Sequence, residues 1–162
     1  TAGRSGFGGA IRSAWSYFST IPGLTYVFHL EDDFTFNRPV DLNAMRRILN
    51  ARPYLVQLAL RRQPWNDEER RAGGIIEQHP DDYVQQVDGF DVWLEHRRFF
   101  TTNPSLYRRS LLDVGWPDTA QSEGMFTHKL LADPDVRFGF WGSRTSGEWV
   151  HHIGSQRVGT GY

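Results

Sequence analysis

Three consecutive carboxylates, Glu31, Asp32 and Asp33, follow directly on the apolar run "YVFHL". Adjacent carboxylates repel one another unless a cation or protons relieve them, and hard oxygen ligands suit Mg²⁺ or Mn²⁺, which could in turn hold a diphosphate. A solvated turn is the competing reading of the same triplet. Glu123, in "TAQSEGMFTHKLL", stands at the start of a helical pattern, where the helix dipole keeps a carboxylate ionised, though an acid in a first turn is also an ordinary helix feature. His151 and His152 are adjacent in "EWVHHIG", so on a strand their side chains point to opposite faces and one of them at most reaches a given site. The opening "GRSGFGGAIR" could let backbone N–H groups approach a phosphate, with Arg4 or Arg12 beside it, but its spacing is neither that of a dinucleotide fingerprint nor that of a P-loop.

The elements that must position these groups alternate between helix and strand. Ile11, Ala14, Trp15 and Phe18 fall at helical spacing within residues 7–19, and Pro22-Gly23 turns the chain into a strand at 25–30. That strand is apolar on both alternating faces, as a central strand covered on both sides would be, with His29 the exception. Asp41 caps a helix bearing Leu42, Met45, Ile48 and Leu49, Arg52-Pro53 ends it, and "YLVQLAL" (54–60) is the next strand. Residues 61–97 read as a polar middle with short strands near Ile75-Ile76, 83–87 and 92–94. A strand is expected at 99–102, then a helix with Asn103 as N-cap and Pro104 in its first turn, stopped by Gly115 and Pro117. A helix over 122–132, a strand in "VRFGFWG" and a last short strand in "EWVHHIG" complete the pattern. This alternation predicts one domain of the α/β type with a parallel or mixed sheet.

Composition narrows the setting. At 162 residues and 39 % hydrophobic the chain can bury one substantial core, so a single domain over 1–162 is expected. Eighteen Lys and Arg against nineteen Asp and Glu leave no net charge that would announce nucleic acid or an anionic membrane. The absence of Cys excludes disulfides and thiolate chemistry and is compatible with the cytoplasm, the expected location. No window approaches the ~20 apolar residues of a membrane span. The chain starts at Thr1 with no strand-like segment before residue 25, which suggests a trimmed N-terminus.

"HLEDDFTF" resembles the Asp-x-Asp motif of nucleotide-sugar glycosyltransferases of the GT-A fold, in particular the glycosyltransferase family 2-like group. The resemblance places Glu31 first and Asp33 last. It implies that Asp33 binds a divalent metal directly, that Glu31 contacts the donor ribose or reaches the metal through water, and that Asp32 lies beside them on the donor. Glutamate in the first place departs from the motif. The resemblance further implies that Glu123 is the catalytic base and that a late histidine, His152 with His151 in reserve, joins the metal. The order of triplet, helix-start Glu and late His is the family's order. The likeness implies a GT-A-like, Rossmann-like three-layer α/β fold with a mixed, mostly parallel central sheet flanked by helices; it runs over residues 4–155 and lacks the family's nucleotide-base-binding segment.

The function so implied is a transfer, with inversion, from a nucleotide-sugar donor, UDP- or GDP-linked, to an acceptor hydroxyl with Mn²⁺ or Mg²⁺ as cofactor. Donor contacts are expected from Glu31, Asp32, Arg4 and Arg12, and acceptor or pocket contacts from Trp65, Arg62 and Asn103. The acceptor is open between a glycan, a lipid, a protein and a modified DNA base, with Arg62, Arg70, Arg71, Arg97 and Arg98 as candidates for a nucleic-acid backbone. Two other classes use the same residues: a metal-dependent phosphohydrolase or nuclease, and a non-catalytic carbohydrate-binding domain in which Trp residues form the platform.

Overall fold

The computed structural model describes residues 6–154. In chain order the elements are α1 (Gly6–Ser19), β1 (Tyr26–His29), β2 (Phe34–Phe36), α2 (Leu42–Ala51), β3 (Leu55–Ala59), α3 (Asp67–Ala72), α4 (Ile75–Gln78), a 3₁₀ turn (Pro80–Asp82), β4 (Val84–Asp88), β5 (Asp91–His96), β6 (Ser105–Arg108), α5 (Leu111–Val114), α6 (Ser122–Leu131), β7 (Arg137–Trp141) and β8 (Val150–His152). Six strands form one sheet in the order β1-β6-β3-β7-β5-β4, and β2 pairs with β8 in a separate ribbon.

The α/β class and the flanking helices are as expected, but the sheet is mostly antiparallel: β3–β7 is its one parallel pair. Two insertions reverse the direction. β4 and β5 are joined as a tight hairpin with register Asp88↔Asp91, and β6 enters between β1 and β3 running against both. The strand order also overturns the expectation that 25–30 is central. Among the described residues β1 lies at a sheet edge, while β3, buried at every position, is interior.

The helix expected from Asn103 is instead the strand β6. A local N-cap and a Pro competed there with pairing on two sides, and the pairing prevails because Leu106 and Tyr107 alternate into opposite cores. Only the end of the anticipated helix survives, as the single turn α5, closed by Gly115 at φ 75°. Residues 99–102 are loop rather than strand. Ile75-Ile76 opens the helical turn α4 rather than a strand, and α3 precedes it, capped by the Asn66 side chain on the Glu69 N–H.

The two faces of the sheet have distinct cores. One holds Ile11 and Trp15 of α1, Leu111 and Leu112 of α5 and Phe126 and Leu130 of α6 against Val56, Tyr107 and Phe138. The other holds Ala44, Met45, Ile48 and Leu49 of α2 against Leu55, Leu58, Leu106 and Trp141. β1, β3 and β7 run in the same direction, so their carboxyl ends open on one side of the molecule. Glu31 and Arg62 follow two of those ends, and the loop before β6 enters there. Crevices beyond strand carboxyl ends are where open α/β sheets bind ligands.

Candidate functional site

A cavity of about 590 Å³ lies at that edge, lined by Glu31, Arg62, Trp65, Thr102, Asn103, Glu123 and His152 together with Phe7, Phe34, Phe99 and Phe100. Its size and its mixture of aromatic walls with a few polar groups are those of a small-molecule site. Six of the residues singled out in the sequence therefore meet in one place. Five separate stretches of chain supply them.

Glu123 sits in the first turn of α6, and its Oε1 accepts a hydrogen bond from the Thr102 N–H at 2.9 Å. Burial raises its pKa above the ordinary carboxylate range; the Thr102 hydrogen bond opposes that shift, and the nearby Glu31 charge adds to it. The loop that presents Thr102 is fixed from both sides. Gln57, the one polar residue of β3, donates to the Thr101 carbonyl at 2.6 Å and to Ser105 Oγ at 2.8 Å, and accepts from the Thr101 N–H at 3.1 Å. From the helix, Thr127 Oγ1 accepts from the Phe100 N–H and donates to the Glu123 carbonyl, each at 3.0 Å.

Asp33, 1 % exposed, meets His152 on the neighbouring strand, with Oδ2 and Nε2 3.0 Å apart. The ribbon brings them together: Phe34 faces His152 in the β2–β8 register, and the Ile153 N–H donates to the Asp33 carbonyl at 2.8 Å. Gln63 anchors His152 by donating to its carbonyl and accepting from its N–H. The imidazole packs with the rings of Phe34 and Trp65, at 4.7 and 5.0 Å. His151, opposite Thr35, is not among the cavity residues, so the alternation resolves the histidine pair toward His152. Gly154 passes over the pair. A Cβ there would stand 2.8 Å from His152 Nε2 and closer still to Asp33 Oδ2, a place only glycine can occupy without displacing them.

Asp33 and His152 converge as two ligands of one cation could; the carboxylate suits Mn²⁺ or Mg²⁺, whereas the imidazole is the softer ligand that the later divalent metals prefer. Glu31 does not join them. Its Oε1 lies 3.4 Å from His29 Nε2, and among the described residues no group of three or more His, Asp or Glu assembles into a metal site. With two protein ligands, a cation here would need its remaining ligands from water or a bound molecule.

The remaining expected contacts disperse. Asp32 is exposed on the turn beside Asp33 and is not among the cavity-lining residues. Arg12 is held by Asp118 at 2.7 Å and by the Pro117 carbonyl. Arg4 lies outside the described residues. The arginines considered for a nucleic-acid backbone are engaged locally: Arg70 with Asp67, Arg98 with Asp82, Arg71 with the Asp67 carbonyl, and Arg97 with carbonyls at 131–134.

No protein family, curated protein or solved structure matches the chain. Its chemistry is therefore argued from the site. Gln57, Gln63, Thr127 and Gly154 carry no motif and the sequence reading passes over their roles; the one signal for Gln57 is that it is the lone polar residue in "YLVQLAL".

Proposed function

We propose that the chain is the catalytic part of a metal-dependent, GT-A-like glycosyltransferase that moves a sugar from a UDP- or GDP-sugar to an acceptor hydroxyl with inversion. The observation that carries this reading is the convergence of Glu123, Glu31 and His152 on one cavity at the carboxyl ends of β1 and β3, with Asp33 paired to His152.

Glu123 acts as the base. Its carboxylate takes the acceptor hydroxyl proton as that oxygen bonds to the anomeric carbon, and the bond to the donor diphosphate breaks on the opposite face. A pKa raised by burial makes it a better base than an ordinary surface carboxylate, provided the pH lies above that value. The Thr102 N–H, with the Thr101 side chain, holds this carboxylate in place at the cavity wall. Asp33 and His152 would hold Mn²⁺ or Mg²⁺, which supplies charge neutralisation to a departing diphosphate. Phe34, Phe99 and Phe100 line the wall of the cavity beside these groups.

The test is release of nucleoside diphosphate from a panel of UDP- and GDP-sugars with Mn²⁺, supplied with mixed glycans as acceptors. Release that collapses in both Asp33→Asn and Glu123→Gln supports the reading; turnover of a phosphodiester without any sugar acceptor would replace it by the hydrolase.

A further inference from the structure

Trp65 is an anomaly among the tryptophans of this chain. Trp15, Trp93, Trp116 and Trp141 are buried in the cores, whereas Trp65 is 50 % exposed on the wall of the cavity that holds Glu123. It is nonetheless firmly placed. Its backbone N–H donates to Glu69 Oε2 at 2.8 Å, and Glu69 is a buried carboxylate paired with Arg62 at 3.0 Å. The Arg62 guanidinium stands 5.3 Å from the Trp65 ring centroid and donates to the Gln63 carbonyl, and the His152 ring lies 5.0 Å away. A buried ion pair, a cation–π contact and a neighbouring imidazole thus converge on keeping an apolar ring open to solvent. That arrangement holds a surface ready before a ligand arrives.

We propose that Trp65 is the platform on which a carbohydrate acceptor lies, so that the acceptor class is a glycan rather than a lipid or a protein side chain. The inference rests on the transferase reading for its direction and on the cavity for its chemistry. A pyranose has one face of C–H groups and a rim of hydroxyls, and an indole offers the matching flat apolar face with an N–H donor at its edge. Glu31, Asn103 and Glu123 line the same cavity and can meet the rim. An acyl chain needs a continuous apolar groove, which Glu31, Arg62, Glu123 and His152 interrupt. A nucleoside is the other flat ligand that stacks on such a ring, and it would come from the donor.

The experiment is an NMR titration of the Trp65 indole N–H, assigned through Trp65→Phe, with the methyl glycosides of glucose, galactose, mannose and N-acetylglucosamine, and separately with uridine and guanosine. A saturable shift with at least one glycoside is expected; in the variants, which lack that signal, affinity is read from the backbone N–H of Thr102 in the same cavity, and it is weakened about tenfold or more in Trp65→Ala and retained within about threefold in Trp65→Phe. Melting temperatures of both variants, measured on the same samples, separate loss of binding from loss of fold, and Trp65→Phe keeps an aromatic ring against Arg62 and His152. A shift with nucleosides alone assigns the platform to the donor base and overturns the proposal, as does no shift with any glycoside. Donor cleavage measured on the same samples separates the two claims: Glu123-dependent release of nucleoside diphosphate stands whether or not Trp65 binds a glycoside.

Discussion

The Thr102 N–H lies 2.9 Å from Glu123 Oε1, and Thr102 is held there by a residue that touches neither Glu123 nor the cavity. Gln57, 1 % exposed in the middle of β3, makes three hydrogen bonds to Thr101 and Ser105. The central strand of the sheet thereby sets the position of the proposed base through one loop.

Gln57→Leu is expected to leave the Thr101 N–H and carbonyl buried without their partner and to cost about 3 kcal/mol of stability. Donor turnover should fall about tenfold further than the change in folded fraction explains, because Thr102 loses its fixed place. Urea denaturation and nucleotide release on the same preparation check both parts. Equal activity per folded molecule would show that the loop holds its shape without Gln57.

Glu123 sets the acid limb of activity. Its folded pKa is raised, by burial first, so the carboxylate needed for proton abstraction forms only above that value, and turnover should rise with pH through a point higher than the ordinary 4.5. The linkage to stability has the opposite sign: the folded state holds this proton more tightly than the unfolded chain, so the contribution is present at low pH and is lost as pH rises through the folded pKa. Glu123→Gln should lower turnover by about 10²-fold or more while removing that slope. A pH–rate profile unchanged in Glu123→Gln would remove it from the role of base.

His96 acts in the reverse direction. Burial, with help from the Arg98 charge, depresses its pKa from 6.5 to about 3, among Tyr83, Phe99, Phe138 and Phe140. The unfolded chain binds the proton first, so stability should fall as pH drops from 6.5 toward 3, by a few kcal/mol in order of magnitude. His96→Phe should flatten that loss, at a neutral-pH cost of about 1 kcal/mol for the Arg98 N–H that His96 Nδ1 accepts. Thermal melts across this pH range decide it.

Gly154→Ala forces a methyl against Asp33 Oδ2 and His152 Nε2. A destabilisation of about 1–3 kcal/mol is expected, together with loss of any Mn²⁺ response. A variant that melts like the parent and keeps its Mn²⁺ response would show that the pair is not the cation site.

How much of this was legible depended on whether a signal was local. Asp41 capping α2, the helical spacing of Ile11 and Trp15, and the alternation that separates His151 from His152 are properties of neighbouring residues, and all were readable. The direction of the strands was not, because it depends on where β6 inserts, and the Asn103-Pro104 signal pointed to a helix that pairing on two edges overrode. The cavity residues Glu31, Arg62, Trp65, Asn103, Glu123 and His152 were chosen by type and place in the chain, and the fold brings them together. Gln57 and Gln63 act through backbone groups distant in sequence, which no motif records.

The most direct test of the central claim is thermal stabilisation of the chain by UDP-, GDP-, TDP- and CMP-sugars with and without Mn²⁺, since a ligand bound only by the folded state raises the melting temperature by mass action. The account predicts that one class of nucleotide sugar stabilises the protein only when Mn²⁺ is present, and that Asp33→Asn abolishes the effect. No stabilisation by any donor, or stabilisation that is indifferent to Mn²⁺ and to Asp33→Asn, would contradict it.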